Sequence, residues 1–278
     1  MENKSSTFSL GGNDTNPGDK PQGSKKVLDK LKIVFENEDY LVIEKSAGII
    51  VNRSDTTSNE ITLQDLVEKE NKIDLPAGRQ VKSDTDEDFR KRSGIVHRLD
   101  KETSGLLIIA KNAFAFSVLQ AQFKERKVSK SYVALVHGEI KPRTGDINVP
   151  IGRLPWNRKR FGVLAGGREA VTSYEVIANI KYQKSNRGLS LVRLFPKTGR
   201  THQIRVHLQY IGHPIFADPL YGGRKIARED RKILPRVFLH AEKIKFLDPR
   251  SGKEVEYASN LPQDLEALLE KFELKKDN

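Results

Sequence analysis

With 278 residues, 37% of them hydrophobic and 31% charged, the chain has enough apolar material for one large core and too much for wholesale disorder. It has no cysteine, which excludes disulfides and thiolate metal sites, and no run nears the ~18 apolar residues of a membrane-spanning helix. Its 49 Lys and Arg against 37 Asp and Glu leave a formal charge of +12, the balance of a partner for a polyanion; nucleic acid is the first candidate, and a membrane surface is disfavoured for want of a basic amphipathic helix.

Residues 1–27 are rich in Gly, Ser, Asn, Pro and Lys and read as a disordered leader without the apolar core or cleavage site of a secretory signal, so a cytoplasmic protein is expected. From LKIVFENEDYLVIEKSAGIIVN onward, alternation and β-branched content predict strands joined by a polar turn at Glu36–Asp39. TLQDLVEKE predicts a short helix, and the hydrophilic stretch 71–92, which has no periodicity, predicts an exposed loop or insertion. In GIVHRLDKETSGLLIIAKN a charged loop feeds into the branched run Leu106–Ile109, which predicts a fully buried strand. NAFAFSVLQAQFKERK places Phe116, Leu119 and Phe123 at helical spacing behind Asn112 as N-cap. Strands are predicted in KSYVALVHGEI, TSYEVIANI, LSLVRLFPKTG and VFLHAEKIKFLDP, and a helix in RTHQIRVHLQYIG. An amphipathic helix in LPQDLEALLEKFELKK, capped around Pro262–Asp264, ends the pattern. No internal repeat is visible, and strand-to-strand spacing dominates, so the expectation is one α+β domain over residues 28–278 rather than a doubly wound fold.

Three histidines, His202, His207 and His213, lie close together in sequence. On a helix the first two are about 500° apart and do not share a face as an i, i+4 ligand pair does, so no metal is expected. TSGLLIIAK sets a Gly ahead of a Lys but lacks the phosphate-loop spacing, and Gly105 opens a strand rather than a helix, so no amide cradle points at a phosphate. HRLD differs from the kinase catalytic loop by its inserted Leu99, and the glycine-rich nucleotide loop is missing. That leaves Asp100. A lone loop Asp is usually a turn residue, but Arg98, Lys101 and the cations of TGRTHQIR supply partners that hold a carboxylate ionised when desolvated, as a nucleophilic or basic carboxylate requires.

HRLDKETSGLLIIAKN resembles the catalytic segment of the RluA-type pseudouridine synthases, matching H-R-L-D-x-x-T-S-G-L-L-x-x-A-K at each specified position. LVIEKSAGIIVN is similar to the family's early strand-turn motif, although its usual Lys-Pro here reads Lys45, Ser46, Ala47. KSYVALVHG, PIGR with GREAVTSYEV, and KTGRTHQIRVHLQYIGHPIFADPLYGG match in chain order, so the resemblance covers residues 33–246.

This resemblance implies a mixed, mainly antiparallel central sheet flanked by helices, with the active-site cleft across the sheet. It implies an RNA isomerase that breaks the uridine N1–C1′ bond and rejoins the ribose to C5, without cofactor or metal. Asp100 is then the essential carboxylate, acting as a nucleophile or through a glycal-like intermediate; the residues leave both open. Tyr132 stacks on the target base or serves as general base, and Arg205 pairs with Asp100. Arg98 enters the RNA to hold the flipped base, and His97, Lys101 and Arg200 join it as RNA-binding residues. The basic stretch Arg153–Arg160 suits phosphate contacts. Large-subunit rRNA is the expected substrate, tRNA the alternative, and a monomer without an S4-like module the expected form. The competing classes are a silent RNA-binding relative and a cofactor-free hydrolase, which would want a second carboxylate or a metal beside Asp100.

Overall fold

The computed structural model describes residues 31–53, 60–69, 84–158, 160–181, 188–272 and 274–275. The expected leader and residues 71–83 of the expected loop lie outside them. Strands β1 (Leu31–Glu36) and β2 (Tyr40–Lys45) form the predicted hairpin. The Asn37 side chain accepts from the backbone N–H of Asp39 and of Tyr40, both at 2.9 Å, the usual device by which Asn closes a turn. Strand β3 (Ser104–Ala110) is buried at every position, as its branched run predicts. Strands β4 (Ser129–His137), β8 (Val171–Ile180), β9 (Leu189–Pro196) and β10 (Leu239–Leu247) fall where the sequence predicts strands. Short strands β5 (Thr144–Asn148), β11 (Glu254–Ala258) and β12 (Leu274–Lys275) extend the sheet, while β6 (Ile151–Arg153) and β7 (Phe161–Val163) make a separate hairpin.

The main sheet runs β1-β2-β3-β10-β4-β9-β8-β12, with β11 added to β10 and β5 to β8. Of its pairings among the described residues only β3 with β10 is parallel, through His240 opposite Ser104 and Ala241 opposite Gly105. This is the expected α+β architecture with a mainly antiparallel sheet. The close approach of β10 explains Gly105: its φ is +116°, and a Cβ there would lie 2.3 Å from the Ala241 carbonyl oxygen, which no side chain accommodates.

Helices α1 (Leu63–Lys69), α2 (Asp84–Arg92), α3 (Ala113–Lys124), α4 (Gln203–Tyr210), α5 (Arg224–Asp230) and α6 (Gln263–Lys271) flank the sheet. Thr62 and Asp65 cap α1 reciprocally: the Asp65 N–H donates to Thr62 Oγ1 at 3.2 Å and the Thr62 N–H to Asp65 Oδ2 at 2.8 Å, a capping box. Asn112 caps α3 as predicted, its Oδ1 accepting from Ala115 N–H at 2.9 Å. Pro262 occupies the N-cap of α6 without a side-chain cap bond, its ring having no acceptor to offer, and Asp264 in the first turn pairs with Arg236 at 2.6 and 2.8 Å.

One expectation is corrected. Residues 84–92, read as part of an exposed loop, form α2. Only Phe89 of its nine residues is apolar, so no hydrophobic period exists to be read. Electrostatics supply what the pattern lacks: Asp84, Asp86 and Glu87 stand in the first turn and Arg90, Lys91 and Arg92 in the last, complementing the helix dipole. Phe89 is fully buried, edge-on to Phe116 of α3 at 5.6 Å, which stabilises by about 1.5–3 kcal/mol per buried ring.

Candidate active site

The segment before β3 doubles back along it. Ala110 N–H donates to the Gly94 carbonyl at 2.8 Å, and the His97 Nε2 accepts from the Ile108 N–H at 2.9 Å. Asp100 follows at a turn closed by Thr103 N–H on the Asp100 carbonyl at 3.1 Å. Beneath the turn, the Lys101 carbonyl accepts from Gly48 N–H at 2.7 Å and from Lys45 Nζ at 3.3 Å. Lys45 is fully buried and also donates to the carbonyls of Ser46 and Ile49, each at 3.0 Å. Burial lowers its pKa to about 7 although the Asp100 charge opposes that shift. The altered Lys45–Ala47 turn is thus a strut under the Asp100 loop.

Helix α4 carries Arg205 inward from the other side. It starts behind His202, which sits in the left-handed region at φ 55°, and is anchored by Gln203, whose Oε1 accepts from Arg200 N–H and Thr198 Oγ1. Arg205 donates from Nη1 to Asp100 Oδ2 at 3.2 Å, so the expected pair is present. Its other face is clamped by Asp218, with Nε to Oδ2 at 2.7 Å and Nη2 to Oδ1 at 2.9 Å. Arg205 is 6% exposed and Asp218 not at all. Burial alone would lower the Arg205 pKa, but the hydrogen bond and charge of Asp218, with those of Asp100, outweigh it and the net shift is upward. The Arg205 guanidinium also lies over the Tyr221 ring at 5.1 Å.

Asp218, Tyr221 and two further residues are absent from the sequence-based site. Glu102, two residues past Asp100, pairs bidentately with Arg231 at 2.9 and 3.0 Å, and Arg231 Nη1 reaches the Ala217 carbonyl at 3.2 Å. Ala217 itself stands at φ 61° and donates its N–H to Asp230 Oδ2 at 3.1 Å. A closed ring of contacts therefore runs Asp100, Arg205, Asp218, Ala217, Arg231, Glu102 and back along the chain to Asp100. The FADPLYGG stretch, with its Asp and Tyr three apart, was the available signal for the first two.

Asp100, Tyr132 and Arg205 line one cleft of about 810 Å³, bordered by β4 and by the ends of β9 and β10. Ten Lys or Arg residues line it, and Asp100 is its one carboxylate among the described residues. Burial, then the nearby Asp100 charge, pushes the Tyr132 phenol pKa up, so it keeps its proton at neutral pH. Of the expected RNA-binding residues, Arg98 is exposed and on the cleft wall, and Arg200 lines it with Nε donating to the Glu169 carbonyl at 2.9 Å. His97 also lines the cleft, but burial and then Lys130 lower its pKa to about 3, leaving it neutral, stacked on Phe123 at 4.7 Å. Lys101 turns its ammonium to Glu60 and does not line the cleft.

The clustered histidines are engaged separately: His202 Nδ1 with Tyr221 Oη at 2.9 Å, His207 Nδ1 with Thr172 Oγ1 at 2.9 Å, and His213 Nδ1 with the His137 carbonyl at 2.9 Å. No group of metal-binding side chains occurs among the described residues, nor does any helix long and apolar enough to cross a membrane.

A family model described as RNA pseudouridylate synthase matches residues 39–210. The chain is 38% identical, over 86% of its length, to the "Ribosomal large subunit pseudouridine synthase D" of Nitrosomonas europaea and spans 64% of that protein, less than two thirds. The like-named protein of Pseudomonas aeruginosa is 36% identical, with 86% of this chain and 71% of that one covered. Among solved structures, "Human RNA Pseudouridylate Synthase Domain Containing 1" matches with a TM-score of 0.66 and 28% identity over 90% of each chain. With HRLDKETSGLLIIAK at the cleft and these matches spanning it, the chain belongs to the RNA pseudouridylate synthase family and to its RluA type, isomerases that act on RNA.

Proposed function

We propose that the protein converts uridine to pseudouridine in large-subunit ribosomal RNA, with Asp100 as the essential carboxylate and the target uridine turned out of its stack into the cleft. The observation that carries this reading is a lone carboxylate, hydrogen-bonded to a buried arginine, in a cleft lined by ten Lys or Arg residues. The cations attract the RNA backbone without reading sequence, and a base must leave the stack before a group at the cleft floor can reach its glycosidic bond, at a cost of a few kcal/mol. Asp100, with one oxygen on Arg205, has the other oxygen available for the sugar, either to capture C1′ as the N1–C1′ bond breaks or to take the C2′ proton. Tyr132, whose phenol keeps its proton, is the flat wall against which the base stacks rather than a tyrosinate base. The absence of a second carboxylate among the cleft's described residues speaks against hydrolysis.

The test is Asp100→Asn. Pseudouridine is mapped by chemical-adduct sequencing on large-subunit rRNA and tRNA from cells carrying wild type, the variant or neither. The expected result is one or more rRNA positions lost in the variant while RNA affinity holds. Undiminished modification by the variant overturns the role of Asp100, and loss confined to tRNA overturns the substrate.

A further inference from the structure

The β6–β7 hairpin stands outside the main sheet and has no part in the chemistry above. Its turn carries Trp156, 76% exposed, more than any other large hydrophobic side chain among the described residues. The turn is built rather than loose. Leu154 N–H donates to the Arg160 carbonyl at 3.0 Å, Asn157 N–H to the Leu154 carbonyl at 3.2 Å, and Arg160 N–H to the Asn157 carbonyl at 2.9 Å. Arg153 Nη1 fastens it with a bond to the Arg158 carbonyl at 2.7 Å.

A single exposed hydrophobic residue needs no explanation. Here the setting supplies one. Arg153 lies over the Phe161 ring at 5.0 Å and Arg160 over the Tyr221 ring at 5.3 Å, and the buried Arg160 Nε has no hydrogen-bond partner among the described residues. The hairpin is also continuous with the cleft. Phe161 N–H donates to Tyr221 Oη at 3.1 Å, Tyr221 carries the Arg205 guanidinium on its ring, and Arg205 holds Asp100. Tyr221 is buried, so it ties the hairpin to the Asp100 site from beneath, and a polyanion that extends from that site over the hairpin surface meets the exposed Arg153 and Arg158, with the exposed indole between them in sequence. Cations along a track and an aromatic face among them are the two parts of a single-strand binding site.

We propose that Trp156 is a stacking platform for an unpaired base of the RNA a few nucleotides from the target uridine, the hairpin arginines taking the phosphates between. The proposal rests on RNA being the substrate, and adds that the flank must be single-stranded. A protein partner is disfavoured because the hairpin that carries the indole also carries Arg153, Arg158 and Arg160, a charge that favours a polyanion.

Trp156 is the sole tryptophan of the chain, so its emission reports this one position. Protein carrying Asp100→Asn, which holds RNA without turning it over, is titrated with an oligouridylate of about ten nucleotides and with an abasic ribose-phosphate oligomer of equal length. Emission should be quenched by the first and not by the second. In labelled-RNA anisotropy, Trp156→Ala should bind the oligouridylate about tenfold more weakly while Trp156→Phe stays close to the parent, with matching thermal melts. With Asp100 intact, Trp156→Ala should raise KM about tenfold and leave kcat nearly unchanged. Unaltered emission at saturating oligouridylate, or equal affinity of the Ala variant, overturns the proposal. The two readings separate: quenching of the Asp100→Asn protein combined with no pseudouridine made by wild type removes the proposed function and keeps the platform, whereas pseudouridine made at unchanged KM by Trp156→Ala does the reverse.

Discussion

Replacing Asp218 by Asn asks whether Asp100 is aimed from behind. Asp218 Oδ2 takes Arg205 Nε at 2.7 Å, and Oδ1 takes Arg205 Nη2 at 2.9 Å with the backbone N–H groups of Leu220 at 2.9 Å and Tyr221 at 3.1 Å. An amide has one acceptor oxygen. If that oxygen serves the three donors, the NH₂ group is turned onto the Arg205 Nε–H, and a charge-assisted bond of about 1.5–3 kcal/mol is lost. The guanidinium, 6% exposed, keeps only Asp100 as counter-charge, and stranding one partner of a buried pair costs about 3–5 kcal/mol in all. The two figures overlap rather than add. We expect a loss of about 3–5 kcal/mol from a total near 5–15 kcal/mol, read from urea unfolding, and a fall in kcat of about a hundredfold as Arg205 loses its aim. Asp218→Asn with Arg205→Met should be more stable than Asp218→Asn alone, since no unpaired charge is then buried. A loss below about 1 kcal/mol, the worth of a surface pair, or strict additivity in the double variant, refutes the reasoning.

Three further outcomes are expected. Gly105→Ala drives a Cβ to within 2.3 Å of the Ala241 carbonyl oxygen and 2.6 Å of its nitrogen at φ +116°, so it should cost about 3 kcal/mol or more; an unchanged melting temperature contradicts the close β3–β10 approach. Arg231→Met removes a half-exposed pair with Glu102 and should cost stability by no more than about 1 kcal/mol, yet lower kcat several-fold at nearly constant KM, with part of the loss recovered by Arg231→Lys; equal kcat in the Met variant removes Arg231 from the positioning ring. Lys45 is buried and its pKa is brought from 10.5 down to about 7, so between about pH 7 and 10.5 the unfolded chain holds a proton that the folded chain has released. Its contribution to stability therefore rises with pH across that window, by up to about 1.4 kcal/mol per pH unit. Relative to Lys45→Met, wild type should gain stability from pH 7 to 9, and a flat difference in paired unfolding curves would sink this account.

The sheet is legible in the sequence where burial is strongest: the branched run Leu106–Ile109 and the apolar run of β4 are buried on both faces, and β8 alternates. Asp100 with Arg205 is legible too, because a carboxylate among cations requires a partner and the motif carries the arginine. Asp218 is not, since nothing local distinguishes a buried clamp from a turn aspartate; its role follows from α4 and the 215–221 loop meeting in space. Helix α2 is hidden because its stability lies in charge placement and one buried ring rather than in a period. His97 illustrates the same limit: whether a cleft histidine meets RNA as a cation depends on which nitrogen is spent, and Ile108, on the adjacent strand, spends it.

The position of β10 carries a consequence for how the molecule comes into being. Asp100 heads β3 and Tyr132 lies on β4, yet the strand between them, Leu239–Leu247, is translated more than a hundred residues later. Neighbouring strands sit about 4.8 Å apart, so this late strand sets the gap between the two residues. A growing chain that has reached Tyr221 already contains Asp100, Tyr132, Arg205 and Asp218, but has no wedge to hold the first two at working distance. Pairings this distant in sequence form slowly. The residues of the site are thus made early and its shape arrives late, with the strand that emerges from the ribosome last among those lining the cleft.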